Sequence, residues 1–173
     1  PVGFSVYDRV LVTVHPPGCS LRDFFVQRMV DLKTAGGARS MARLPTSPGE
    51  LMLRMVNHMV DGYLELRRVL TRELGSLQRA LLDPKSRFQD WQILLDSRNA
   101  LHVLEDTCED QRSAVQEWLN AVEEWPPQST ALQKGDQELL LVHTRDVLEH
   151  VERVLAHVRR LEQSAEAAIQ MHF

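Results

Sequence analysis

Three side chains in the last third of the chain have the types and spacing of a metal-binding face. His143, Asp146 and His150 stand at positions i, i+3 and i+7, so a helix would place them on one face, which His157 continues. Imidazole and carboxylate groups bind zinc and related divalent ions. Spread over two helical turns, they cannot all hold one ion closely, so a site would need a carboxylate from another chain or from sequence beyond this one. The alternative interpretation is a solvated polar stripe.

The rest of the sequence contains no recognisable catalytic motif. No GxSxG, HExxH, phosphate-binding-loop or GxGxxG arrangement occurs, so we expect no enzymatic activity. Cys19 and Cys108 form no CxxC pair, which favours a reducing compartment over a disulfide framework, and both are expected to be buried or half-buried. The net charge of −4 gives no general attraction to nucleic acid, and no such partner is predicted.

The elements that must position these residues are mostly long helices. Residues 3–7 and 10–14 read as a β-hairpin, and Ser20 begins a short helix that closes at Gly36-Gly37. Three longer helices are predicted: from the Ser47-Pro48 start to Asp83-Pro84, from near Phe88 to Trp125-Pro126, and from near Ala131 to the end. The predicted fold is mainly α with a small N-terminal β-hairpin, an α+β class. It comprises a long antiparallel helix hairpin and a long stalk helix.

Each long helix carries an apolar stripe with spacings of three and four. The predicted core positions are Met52, Val56, Met59, Tyr63, Leu66, Leu70, Leu74, Leu77 and Leu81, then Trp91, Leu94, Leu101, Leu104, Cys108, Val115, Trp118 and Val122. In the last helix a heptad from Val147 through Val151, Val154 and Val158 indicates a coiled-coil seam, and hence a stalk that packs on copies of itself. Residues 88–123 carry eight acids and two bases, a net charge of −6, which would gather cations or simply keep the helix solvated.

The two ends suggest that the chain is part of a longer protein. A two-stranded hairpin is marginal alone, so we expect the rest of its sheet upstream of Pro1. No signal peptide is recognisable, no apolar run approaches the roughly 20 residues of a membrane span, and no stop signal ends the last helix. We therefore expect residues 1–46 to be the remnant of an N-terminal α/β domain, 47–127 the helical hairpin, and 128–173 a stalk leading toward a transmembrane region.

Two segments resemble the CorA-type divalent-cation transporter family. Residues 51–63 are similar to the pattern that opens that family's first long helix, with Asp61 and Tyr63 in agreement and Asn57 in place of its first Asp. Residues 145–150, Arg-Asp-Val-Leu-Glu-His, resemble the Arg-Asp-Val-Tyr-Asp-His stretch of its stalk helix, with Leu and Glu as departures. The order of strands and helices is also similar, so the resemblance covers nearly all of the chain.

The resemblance implies a cytosolic funnel region of a homopentameric Mg²⁺ channel, in which Co²⁺ or, in the ZntB branch, Zn²⁺ can replace Mg²⁺. The complete protein would lie in the inner or plasma membrane, with this region on the cytoplasmic side and a Gly-Met-Asn signature beyond Phe173. Asp146 would help to bind a regulatory Mg²⁺ between neighbouring subunits. Gln170 stands where some members have an acidic ring, a departure that leaves room for a zinc-type member.

A second class of function is compatible with the residues alone. Long helices with a heptad repeat are also typical of a soluble coiled-coil interaction or scaffold protein with no transport role. Two apolar stretches of about 20 residues after Phe173 would favour the channel, whereas a stop codon there would favour the scaffold.

Overall fold

A computed structural model describes residues 2–34, 44–83, 91–126 and 131–172 of the chain. An antiparallel hairpin, β1 (Gly3–Val6) and β2 (Leu11–Val14), is followed by four helices: α1 (Ser20–Thr34), α2 (Pro48–Leu82), α3 (Trp91–Glu123) and α4 (Ala131–His172). This confirms the predicted class, mainly α with a small N-terminal hairpin. The predicted end of the first helix at Gly36-Gly37 and the start near Phe88 lie outside the described residues. The division into three domains stays a prediction.

Local signals in the sequence explain where α2 begins. Ser47 has extended backbone angles, and its hydroxyl accepts a hydrogen bond from the Glu50 N–H at 3.1 Å. In a standard capping box the Glu50 carboxylate would accept the N–H of the N-cap residue, Ser47. Here it accepts the N–H of the preceding residue, Thr46, at 2.6 Å. Helix α1 begins at Ser20 as predicted, and Asp23 in its first turn pairs with Arg22. Gly18, at φ +69, supplies the turn before it.

Helix α4 lies against both other long helices and is the centre of the bundle. Its most extensive packing is with α3 and α2, which touch each other less. Contacts of Thr71 with His157 and of Gln78 with Ser164 join residues 86 apart, so α2 and α4 run parallel in constant register. Contacts of Glu123 with Arg145 and of Glu105 with Arg159 show that α3 runs antiparallel to α4.

The heptad stripe of α4 is buried within this chain. Val151, Val154 and Val158 are completely inaccessible and belong to one core with side chains of α2 and α3. The heptad therefore marks an intramolecular seam, and it no longer supplies a reason for copies of the chain to associate. Any contact between copies would use other faces of the helices.

The predicted stripe of α3 is largely correct, whereas that of α2 needs correction. Leu66, predicted to be in the core, is 42% exposed, and Val60 and Leu53, which the stripe omits, are buried. The N-terminal half of α2 is covered twice, by α4 and by the Leu21 and Phe25 side chains of α1, which contact Met55. This broad covered surface includes neighbouring rows of side chains that a single stripe does not describe.

Candidate functional site

The three predicted metal-binding residues line one cleft. His143, Asp146 and His150 form its α4 side, in a space of about 730 Å³ between α4, α2 and α1. The imidazoles are half-buried, and Asp146 is exposed. His157, which was expected to continue this face, lies further along the bundle, where its Nε2 is 3.4 Å from the Thr71 hydroxyl.

The α2 side of the cleft is supplied by the other segment of the family resemblance. Asn57, His58 and Asp61 line the cleft opposite the α4 residues. The parallel register of α2 and α4 brings the segments 51–63 and 145–150 side by side, although more than 80 residues separate them in sequence. Residues of both motifs therefore line the same cleft.

Helix α1 closes one end of the cleft through an aromatic cluster. The Phe24 ring stacks on the His58 imidazole, with centroids 4.4 Å apart and planes 8° apart. Phe25 meets the same imidazole edge-on at 5.8 Å. Aromatic contacts of this geometry stabilise packing beyond the area that they bury. The imidazole of His58 is thereby held against α1, and the rest of the cleft is bordered by carboxylates, by the two α4 histidines, and by Arg28 and Arg54.

Glu50 lines the cleft but is already fully engaged. Its two oxygens accept hydrogen bonds from the Thr46 N–H and hydroxyl and from Arg54 Nε, the last at 3.1 Å. Burial alone would raise the pKa of Glu50, but these hydrogen bonds and the Arg54 charge outweigh it and lower the pKa. Glu50 is therefore a cap for α2 rather than an available ligand.

The carboxylates of Asp61 and Asp146 are the available anionic groups. Both are exposed, and neither forms an ion pair within the described part of the chain. Oxygen donors at a solvated surface suit Mg²⁺, which keeps several of its waters. The Asn57 amide and the two half-buried imidazoles add donors that softer ions prefer. The cleft thus combines oxygen and nitrogen donors of the kinds that divalent ions use as ligands.

The tightest grouping of ligand atoms lies elsewhere. In the described ranges, one set of three residues has ligand atoms that all lie within 4.8 Å of one another: His102, Glu105 and Glu162. The three predicted residues in the cleft do not form such a set. The binding of an ion by His143, Asp146 and His150 stays a prediction. Sequence reasoning missed the other set because Glu162 belongs to a different helix; only the i, i+3 spacing of His102 and Glu105 was visible.

The described helices contain no segment that combines the length and the apolar character needed to cross a membrane.

Comparison with protein families identifies a match. The family model described as CorA-like Mg²⁺ transporter protein matches residues 1–172, almost the whole chain. No curated protein matches the chain. The match includes both motifs that meet in the cleft.

Proposed function

The chain belongs to the CorA-like Mg²⁺ transporter family, and from this we propose that it is the cytosolic regulatory region of a divalent-cation channel. The family match over residues 1–172 is the observation that carries the proposal. The meeting of the two family motifs in one cleft supports it, because residues that serve a common site need to be neighbours in the fold. The scaffold alternative loses its main support, since the heptad is covered within the chain.

We place the regulatory ion at the cleft, with Asp146 as its principal ligand. Asp61 faces the same space and offers a second carboxylate from the same chain. Mg²⁺ bound through its waters needs only one or two carboxylates, which fits exposed side chains better than a closed cage does. A neighbouring subunit of the homopentamer would supply the remaining donors. An ion that favours one arrangement of subunits shifts their population toward it, which is how cytosolic Mg²⁺ would close the pore.

Mg²⁺ is the proposed cargo and regulator, with Zn²⁺ and Co²⁺ as alternatives. His143 and His150 border the cleft beside Asp146, and imidazole nitrogen favours these softer ions. In this proposal α4 is the stalk that continues toward the pore in the inner or plasma membrane. Because α4 itself lines the cleft, an ion bound there would act on the stalk directly.

Protease protection of the intact protein tests the sensing role. Mg²⁺ should protect the subunits from cleavage, and Asp146→Ala should raise the Mg²⁺ concentration needed for half-protection. A doubly charged ion about 4 Å from one carboxylate in water gains about 2 kcal/mol, which corresponds to roughly a 30-fold increase. Protection of the variant at the wild-type concentration would contradict the role of Asp146.

A matched control separates a specific ligand from general charge. Glu149→Gln removes the same charge from the same helix, but Glu149 lies outside the cleft and pairs with Arg153 at 2.8 Å. We expect it to leave half-protection unchanged. Vesicles that contain the intact protein test transport itself: they should take up Mg²⁺, and the absence of uptake of Mg²⁺, Co²⁺ and Zn²⁺ would contradict the channel.

A further inference from the structure

A second cluster of ligand-type side chains lies on the opposite side of α4, where it meets α3. His102 and Glu105 are one turn apart on α3, and Glu162 faces them from α4. Their ligand atoms are all within 4.8 Å of one another, and Nδ1 of His102 is 2.8 Å from Oε1 of Glu162. The antiparallel register of α3 and α4 creates this juxtaposition.

The Glu162 carboxylate is poorly satisfied where it stands. Its side chain is 18% exposed, and Oε1 is shielded from solvent and accepts no hydrogen bond, although Nδ1 of His102 lies 2.8 Å away. A shielded carboxylate oxygen that accepts no hydrogen bond is costly. A cation between Glu162 and His102 would remove that cost.

Glu105 is oriented toward the same place by a neighbouring arginine. Arg159 Nε donates to Glu105 Oε1 at 2.6 Å, and the same guanidinium bonds Glu109. One oxygen of Glu105 is engaged in this way, and the other can serve as a ligand. Arg159 thus fixes the position of Glu105 without occupying both of its oxygens.

From this juxtaposition we propose that His102, Glu105 and Glu162 form a binding site for a transition-metal ion of the zinc class. Donor atoms around a tetrahedral zinc ion, at about 2.0–2.2 Å from it, lie roughly 3.3–3.6 Å apart. The present separations, from 2.8 Å to less than 4.8 Å, bracket that distance, so small side-chain rotations complete the site. The 53% exposure of His102 leaves the fourth position open to water.

The donor set distinguishes this site from the cleft. One imidazole nitrogen with two carboxylates suits Zn²⁺, Ni²⁺ or Co²⁺, whereas Mg²⁺ prefers oxygen donors alone. Residues 150 and 162 are 12 positions apart on α4, or about 18 Å at 1.5 Å per residue. An ion here joins α3 to α4 and contacts none of the cleft residues, so the inference does not depend on the proposed function.

Zinc titration calorimetry on the intact protein tests the site. His102→Ala and Glu162→Gln should each remove one bound Zn²⁺ or weaken its binding at least tenfold, with the helical circular dichroism unchanged. Excess Mg²⁺ should not displace this ion. Retention of wild-type Zn²⁺ affinity and stoichiometry by both variants would overturn the proposal.

Two controls identify which residues are responsible. Glu109→Gln removes a neighbouring acid that pairs with Arg159 but is not one of the three, and it should leave Zn²⁺ binding within twofold of wild type. The double variant His143→Ala/His150→Ala should keep this Zn²⁺. If Glu109→Gln weakened Zn²⁺ binding as much as the ligand variants do, the ion would be held by the general attraction of acidic groups. If only the double variant lost Zn²⁺, the ion would lie in the cleft. Either result would overturn the proposal.

Discussion

Substituting Leu53 and Leu66 by alanine measures which face of α2 is buried. Both are leucines on the same helix, and only Leu66 belongs to the stripe that the sequence predicts. In the structure Leu53 is 3% exposed within the core, whereas Leu66 is 42% exposed. The structure therefore predicts a large cost for Leu53→Ala and a small one for Leu66→Ala, and the sequence stripe predicts the reverse.

The size of each effect follows from burial. Removing three carbons from a buried leucine costs about 2.4 kcal/mol of transfer free energy at about 0.8 kcal/mol per carbon, and a residual cavity brings typical losses to about 3 kcal/mol. At Leu66 roughly half of the side chain is already in water and solvent fills the space, so about 1 kcal/mol is expected. The two variants should differ by about 2 kcal/mol.

Urea unfolding followed by circular dichroism provides the measurement. With a slope of about 2 kcal/mol per molar urea, Leu53→Ala should lower the midpoint by about 1.5 M and Leu66→Ala by about 0.5 M. The two positions are about 140° apart around a helix of 3.6 residues per turn. Equal or reversed costs would mean that α2 is rotated about its axis. Asn57 and Asp61 would then leave the cleft, and the site would fail together with the packing.

Three further predictions concern titration and thiol reactivity. Because the pKa of Glu50 is lowered in the folded state, the unfolded state binds more protons in acid, and the unfolding free energy should fall as the pH drops below about 4.5. Glu50→Gln should flatten this part of the curve of unfolding free energy against pH. An unchanged curve would contradict the capping role of Glu50. Burial, and then the charges of Arg67 and Arg160, lower the pKa of His157, so the unfolding free energy should also fall as the pH drops below about 6.5. In denaturation experiments at several pH values, His157→Gln should lose less stability over this range than the wild type. Burial raises the pKa of Cys108 to about 11, so a thiol reagent at neutral pH should label Cys19 first and label Cys108 only when the protein unfolds. Equal labelling rates of the two thiols in the native protein would contradict this prediction.

The elements were predictable because their boundaries are encoded locally. Ser47-Pro48 and Asp83-Pro84 bracket α2, which the structure gives as Pro48–Leu82. The hairpin was also predicted, and each strand is one residue shorter than expected. The Tyr7 N–H bonds the Val10 C=O across the turn at 2.9 Å. Caps, prolines and alternating patterns act within a few residues, so a sequence reading detects them directly.

The faces of the helices were harder to predict because they depend on which partner covers them. The α4 heptad correctly marked Val147, Val151, Val154 and Val158 as buried. It could not say that the covering surface belongs to α2 and α3 of the same chain, since a repeat of apolar residues is the same for either partner. In α2, apolar residues on adjacent rows serve two neighbours at once, α4 and α1. A single stripe could not describe both.

The two candidate sites differ in whether their residues could be grouped from the sequence alone. His143, Asp146 and His150 share one helix, so their sequence spacing was enough to group them. The cluster of His102, Glu105 and Glu162 exists only because α3 and α4 are antiparallel in one register, which no local pattern specifies.

An ion at either site acts on a different contact of the same helix. In the cleft it would join α4 to α2, and between Glu162 and His102 it would join α4 to α3. Sites about 18 Å apart without shared ligands contribute nearly additively to stability. Mg²⁺ and Zn²⁺ together should therefore stabilise the bundle by the sum of their separate effects, and each contribution should disappear only with its own ligands. A loss of both contributions in Asp146→Ala alone would mean that the two ions share one site, and that α4 carries one cation site rather than two.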